Sequence, residues 1–304
     1  MGTVTSTLLD LLLRVVSRAP SISDRLPLPG PVRRQWLRLR NEALARHPRD
    51  FTVRLHVGGA EFSGNTEDVI QRSIYLHQVW EPDITSWLVD QVGRGSVVVD
   101  VGANCGYDTL VAASLVGPEG QVIAFEPVPS IVARLAESVR ANRLGQVSVR
   151  NVALGREPGT TEIFRADGSN TGNSSTSWEP GHTSEGTVDV ARGDTYLVDE
   201  AARISVIKID TEGDEVNVIG GLTRTLAAMS PGAAVLVEVT PDKLALRGHT
   251  ALELWNLFPR PEWECFQIRN DYDFENYRAD QPVRMSAVTM APRERADLVF
   301  VRRG

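Results

Sequence analysis

The chain has 304 residues, 42% of them apolar and 23% charged. That is globular composition, and it excludes wholesale disorder, a collagen-like repeat and a multi-span membrane protein. The net charge of −7 divides unevenly: residues 1–60 hold ten Arg against four acids, so the remainder is strongly acidic, which argues against nucleic-acid binding.

Two cysteines, Cys105 and Cys265, make neither a disulfide framework nor a cysteine zinc cluster, and fit a reducing cytoplasm. The bases comprise thirty Arg and only two Lys, Lys208 and Lys243. A lysine kept inside a strand of such a chain invites a functional question. The length suits one elaborated domain with an appended segment.

From the N-terminus, Leu8 to Val16 is apolar but too short to span a bilayer. Its basic residues stand within and after the run, unlike a signal peptide, so a short docking helix is expected. The Gly2 myristoylation pattern is loose and is set aside. Pro20, Pro27, Pro29 and Pro31 read as a linker. This basic segment suits the acidic body of its own chain, and it also admits peripheral contact with a membrane face.

Phe51–Val57 alternates as a strand and turns at Gly58-Gly59 into a second, Ala60–Phe62. Asp68 to Val92 has helical spacing broken at Glu81-Pro82. Strand and helix then alternate: Val97–Val101, Tyr107–Leu115, Val122–Phe125, Ser130–Asn142 and Val147–Val152. Such alternation means parallel strands with crossover helices, a doubly wound α/β sheet. A hairpin and a long polar loop occupy Thr160 to Trp178. The rhythm resumes with strand Val206–Ile209, helix Glu215–Met229, strand Ala234–Val239, helix Leu252–Phe258 and strands Cys265–Ile268 and Leu298–Val301.

Asp100-Val101-Gly102-Ala103-Asn104-Cys105-Gly106-Tyr107 follows an apolar strand and opens a helix. Its glycines permit close approach by a ligand at the carboxyl ends of the strands, where open α/β sheets bind. Glu126, twenty residues beyond Gly106, ends the next strand and can accept both hydroxyls of a ribose. Asn104 and Tyr107 occupy the positions that a dinucleotide fingerprint reserves for glycine. A nucleoside without phosphate, such as S-adenosylmethionine, fits this loop better than a pyrophosphate.

These motifs resemble the FkbM family of S-adenosylmethionine-dependent methyltransferases over roughly residues 65 to 301. The resemblance rests on Trp80-Glu81-Pro82, the Asp100 to Gly106 loop, Phe125-Glu126-Pro127, Asn151-Val152-Ala153-Leu154-Gly155, Lys208-Ile209-Asp210-Thr211-Glu212-Gly213 and Val237-Glu238-Val239. Cys105 and Asp214 depart mildly from the family pattern.

The resemblance implies a class I methyltransferase sheet of seven strands, the last antiparallel, in a domain spanning 65–304 behind an N-terminal extension, 1–64. It implies methyl transfer, usually to a hydroxyl of a sugar or other natural product. By position, Asp100, Gly102, Asn104 and Gly106 face the methionine end of the cofactor, and Glu81 joins them at the cofactor site. Glu126 holds the ribose. Pro127, Val128, Asn151, Val152 and Ala153 flank the adenine.

Lys208, Asp210 and Glu212 are spaced i, i+2, i+4 at a strand end, so they share one face if the extended conformation continues. An alcohol needs a base to take its proton, and Asp210 is the first candidate, with Glu212 or His182 as replacements and Lys208 orienting. Asp210, Glu212 and Glu238 also admit a hard Mg²⁺ ion, though the spacing does not require one. The Gly168–Ser177 loop offers hydroxyls and amides for a sugar, and Trp178 can stack on one. The glycosylation pattern Asn173-Ser174-Ser175 is discounted.

The leading reading is a cytoplasmic O-methyltransferase acting on a small-molecule or glycoconjugate acceptor. It competes with a non-catalytic cofactor-binding partner subunit and with a nicotinamide oxidoreductase. A homodimer is compatible with the chain.

Overall fold

The computed structural model describes residues 10, 12–18, 30–166, 169, 170, 172, 174, 176, 180–270 and 283–304. Helix α1 (Gly30–Arg46) leads into a hairpin, β1 (Asp50–Arg54) and β2 (Glu61–Asn65), then helices α2 (Val69–His77) and α3 (Pro82–Gln91). The central alternation is β3 (Val97–Val101), α4 (Tyr107–Val116), β4 (Gln121–Phe125), α5 (Pro129–Ala141) and β5 (Val147–Arg150). A three-stranded insertion follows, β6 (Ala153–Leu154), β7 (Gly159–Ala166) and β8 (His182–Ala191), and then the short helix α6 (Asp194–Leu197). The chain returns with β9 (Ile204–Ile209), α7 (Glu215–Gly220), α8 (Thr223–Ala228), β10 (Ala234–Val239), α9 (Pro241–Leu246) and α10 (Ala251–Asn256). It closes with β11 (Trp263–Ile268), β12 (Met285–Ala287) and β13 (Ala296–Arg302).

The main sheet runs β12-β11-β13-β10-β9-β3-β4-β5. Strands β5, β4, β3, β9 and β10 are parallel, and β13 enters antiparallel between β10 and β11. Seven strands with the last antiparallel were expected, and the short β12 is added at the edge beside β11.

Period-two alternation builds the two layers. Val97, Val99 and Val101 enter one core with Ile207, Ile209, Val235 and Val237. Val98, Val206, Ala234 and Leu236 enter the other, against Ile84, Trp87 and Ala112. Strands buried on both faces read as unbroken apolar runs, and β3 is buried at all five positions.

Helix ends follow local chemistry. Asp68 caps α2 by accepting from the Gln71 amide, Thr250 caps α10, and Pro82 opens α3 where a missing N–H costs little.

Three differences from the expected elements have physical causes. Pro31 lies in the first turn of α1, which tolerates proline, so the helix begins where a linker was expected. The helix expected over Glu215–Met229 breaks into α7 and α8 at Gly220-Gly221. A Cβ on Gly221 would sit 2.1 Å from the Gly155 carbonyl oxygen, a backbone approach only glycine permits. The hairpin expected within Thr160–Trp178 is β7–β8, whose second strand, His182–Ala191, lies beyond that range; Val188 is its one buried residue, so it carries no apolar alternation to mark it.

Phe51 and Phe62 of the first hairpin pack with Ile74 of α2 and Leu110 and Val111 of α4, a cluster that crosses the expected boundary near residue 64. Leu13 and Val16 pack on Ala43 of α1. Among the described residues, no helix is long and apolar enough to cross a membrane.

Candidate active site

The parallel strands end together, and two adjoining cavities open there. The first is lined by Gly102, Glu126, Pro127, Ile131, Val152, Ala153, Ile163 and Asp210. The second, about 350 Å³, is lined by Trp80, Glu81, Asn104, Asp108, Lys208, Asp210, Glu238, Lys243 and Arg295. Gly102, Asn104, Asp210 and Glu212 border both.

The floor is stitched from backbone. Gly102 and Ala103 amides donate to the Phe125 carbonyl at 2.9 and 3.0 Å, and the Asp210 amide donates to the Val101 carbonyl at 3.0 Å. Gly102 has φ +82°, and a Cβ there would lie 1.8 Å from the Asp210 carbonyl oxygen. Only glycine lets β3 and β9 close up in this way.

Glu126 is buried and accepts the Asn104 amide on Oε2 at 2.8 Å and the Val128 amide on Oε1 at 2.9 Å. Burial pushes its pKa up to about 7, against the opposing pull of those two amides.

The pleat explains the charged cluster. Asp100 and Lys208 are register partners on β3 and β9, so both project to the α4 side. The Lys208 ammonium lies 3.1 Å from Asp108 Oδ2 at the start of α4 and 3.2 Å from Asp210 Oδ2. Burial works against that ammonium, but Asp108, Asp210, Asp100 and Glu81 outweigh it and hold its pKa well above the ordinary value.

Glu81 is buried with φ 43°, immediately before Pro82, and burial raises its pKa well above the usual carboxylate range. Five non-glycine residues have positive φ among the described residues, and three of them, Glu81, Asn104 and Glu212, line the second cavity. Backbone strain concentrated this way is characteristic of functional sites.

Lys208 and Asp210 share a face as expected, but Glu212 does not continue it. The strand ends at Ile209 and Glu212 adopts φ 57°, which turns it to Lys243 of α9 at 2.6 Å. Burial and then Asp210 push Glu212 up to about 8, against Lys243.

Other expected residues lie as follows. Asp100 is beneath the floor, accepting from Thr109 Oγ1, and burial raises it to about 6 against the pull of Lys208. Gly106 starts α4 and faces Leu135 of α5. Val128 is buried beside Ile131 and Ile163, and its amide holds Glu126. Asn151 donates its side-chain amide to the carbonyls of Glu126 and Pro127. His182 pairs with Ala166 at the start of β8 and borders neither cavity. Of the polar loop, Gly172, Ser174 and Thr176 line the first cavity, whereas Asn173, Ser175 and Trp178 lie outside the described residues.

Asp108, Lys243 and Arg295 were not anticipated. The composition held a signal for one: both lysines of the chain border the second cavity.

A parallel sheet in this order, one antiparallel strand beside β10, a glycine turn after β3 and a buried acid after β4 define a class I methyltransferase fold. Residues 100–272, more than half the chain, match the methyltransferase FkbM domain. The chain belongs to the FkbM methyltransferase family. It is 29% identical over 146 residues to Methyltransferase 1 of Beauveria bassiana, covering 42% of this chain and 58% of that protein. It is 36% identical over 70 residues to a protein-L-isoaspartate O-methyltransferase of Ignicoccus hospitalis, covering 22% of this chain and 33% of that one. It is 26% identical over 199 residues to the hexuronic acid methyltransferase AglP of Haloferax volcanii, covering 59% and 73%. The chain thus spans between a third and three fifths of the length of the first two relatives. Methyltransferase FkbM of Methylobacillus flagellatus superposes with a TM-score of 0.44 at 14% identity, covering 98% of this chain and 59% of that one.

Membership implies S-adenosylmethionine as the cofactor, and the residues fit it. Each Glu126 oxygen keeps a lone pair for a ribose hydroxyl, and Ile131, Val152, Ala153 and Ile163 give an apolar slot for a base. The residues do not fit Mg²⁺. Asp210, Glu212 and Glu238 are engaged by Lys208, Lys243 and Arg295 respectively, and no group of three metal-ligating side chains converges among the described residues.

Proposed function

We propose that this chain is an S-adenosylmethionine-dependent O-methyltransferase acting on a hydroxyl of a sugar or related natural product. The observation that carries the reading is Asp210, a partly exposed carboxylate bordering both cavities, with its Oδ2 fixed by Lys208. A hydroxyl in the second cavity lies within reach of that carboxylate while the first cavity holds the nucleoside. The hexuronic acid specificity in the name of one relative supports a sugar acceptor.

The cofactor, when bound, supplies a methyl group on a sulfonium sulfur. Glu126 would hold the ribose, and the stitched floor holds Glu126 and Asp210 in a fixed relation, so positioning does most of the work. Asp210 takes the proton of the acceptor hydroxyl, whose oxygen would receive the methyl group that the cofactor supplies. Lys208 orients that carboxylate.

The test is methyl transfer from radiolabelled cofactor to a panel of methyl glycosides of hexoses and hexuronic acids. Asp210→Asn should lower kcat by about 10²-fold or more and leave cofactor affinity intact. Wild-type turnover in Asp210→Asn refutes the assignment, and loss in Glu212→Gln instead transfers the role to Glu212.

A further inference from the structure

We infer that Asp108 is a positioning residue of the transfer reaction: it anchors the Lys208 ammonium from the α4 side and sets its orientation toward Asp210 and the acceptor cavity. The inference rests on the reading of Asp210 and Lys208 given above.

An ammonium carries three N–H donors. One is donated to Asp210 Oδ2 at 3.2 Å, and the charged nitrogen forms an ion pair with Asp108 Oδ2 at 3.1 Å. Two anions on different elements, the first turn of a helix and the end of a strand, fix where the ammonium sits. Lys208 borders the second cavity, so a remaining donor is available to an acceptor oxygen. With Asp108 gone, the four-carbon stem would let the ammonium close entirely on Asp210, covering the carboxylate that must receive the proton.

A purely structural role explains the geometry less well. The Lys208 and Asp108 side chains are only 9% and 12% exposed. A buried ion pair adds little net stability, because desolvation offsets the attraction. Asp108 Oδ1 is also buried with no hydrogen-bond partner among the described residues, which adds to the cost.

Other anions face the ammonium. Asp100 comes from β3, Glu81 from the turn before α3, Glu238 from β10 and Asp297 from β13. Asp100 Oδ2 is already taken by Thr109 Oγ1, and Arg295 engages Glu238.

The chain's lysine count supplies the assay. Nitrogen-15 labelling of lysine gives one ammonium resonance for Lys208 and one for Lys243, which serves as an internal control. In Asp108→Asn the Lys208 resonance should shift, exchange faster with water and titrate at lower pH, because a neighbouring anion has been removed. The Lys243 resonance should stay in place. With the best glycoside of the panel, kcat should fall about tenfold, acceptor KM should hold, and Asp108→Glu should recover part of the rate.

A folded Asp108→Asn protein whose Lys208 resonance is unmoved overturns the inference, as does failure of both Asp108→Asn and Asp108→Ser to fold. Asp210→Asn is assayed alongside. Wild-type turnover there removes the base assignment even when Asp108→Asn moves Lys208. A dead Asp210→Asn with an unmoved Lys208 resonance leaves the base assignment standing and removes Asp108.

Discussion

Replacing Glu126 by Gln keeps the volume of the side chain and removes its charge. In the native protein each carboxylate oxygen accepts one backbone amide, from Asn104 and Val128, and keeps one lone pair toward the cavity. In the proposed cofactor complex, two ribose hydroxyls on those lone pairs would make charge-assisted hydrogen bonds, worth roughly 1.5–3 kcal/mol each. Glutamine can serve one hydroxyl and presents an NH₂ group to the other. Losing one such bond raises the dissociation constant about 10- to 150-fold at roughly 1.4 kcal/mol per decade.

The same residue predicts a pH signature. Burial pushes Glu126 up to about 7 in the free protein. Hydroxyl donors favour the ionised form, so affinity is full above that value and declines as pH falls through it. At pH 6 about a tenth of the carboxylate is ionised, so wild-type affinity should be about tenfold weaker than at pH 8. The Gln variant should lose that dependence. Titration calorimetry at both pH values, on protein verified as folded by circular dichroism, measures both effects. Equal dissociation constants at pH 8, or equal pH slopes in the two proteins, refute the assignment of Glu126 to the ribose.

Gly102→Ala should destabilise the protein by more than the roughly 1–2 kcal/mol of a left-handed non-glycine residue, because its Cβ falls on the Asp210 carbonyl; a urea midpoint equal to wild type contradicts this. The ligand-free protein should melt at progressively lower temperature as pH rises from about 5 to 8. Asp100, Glu126, Glu215, Asp297 and Glu212 all hold their protons to higher pH when folded, at about 6, 7, 7, 7 and 8, so the unfolded chain releases them first. A calorimetric melting temperature rising over that range contradicts the assignment. A chain starting at Asp50 loses the Arg72–Asn41 hydrogen bond but keeps the first hairpin and its core with α4. It should bind cofactor as the full chain does; lost affinity in a folded truncation means that the N-terminal segment closes the site.

The central sheet was legible in the sequence because its strands are buried on both faces. Val97–Val101 and Ala234–Val239 were delimited to the residue, since an apolar run bounded by turn residues has one reading. Strand β8 left no such signal: His-Thr-Ser-Glu-Gly-Thr-Val-Asp-Val-Ala is mostly solvated. The Arg-rich α1 was hidden by the prolines before it.

Within the site, the glycine turn, Glu126 and the Lys208–Asp210 pair could be read because one motif or one strand carries each. Asp108 could not, because its meaning depends on a helix start meeting a strand end across 100 residues. The turn of Glu212 toward Lys243 was equally hidden, because periodicity assumes an extended backbone that stops at Ile209.

The stitched floor divides the molecule into parts that can vary at different rates. Its contacts are backbone to backbone, or backbone amide to Glu126, so most side chains around it can change without moving it. The second cavity is finished by Lys243 and Arg295, carried on α9 and on the segment before β13. With the second cavity as the proposed acceptor site, substitutions in those outer pieces would change the acceptor while the residues around the first cavity stay as they are. A lineage built this way would diversify its products by editing one rim of the sheet, and the same rim is where a laboratory library that tests the proposed acceptor site belongs.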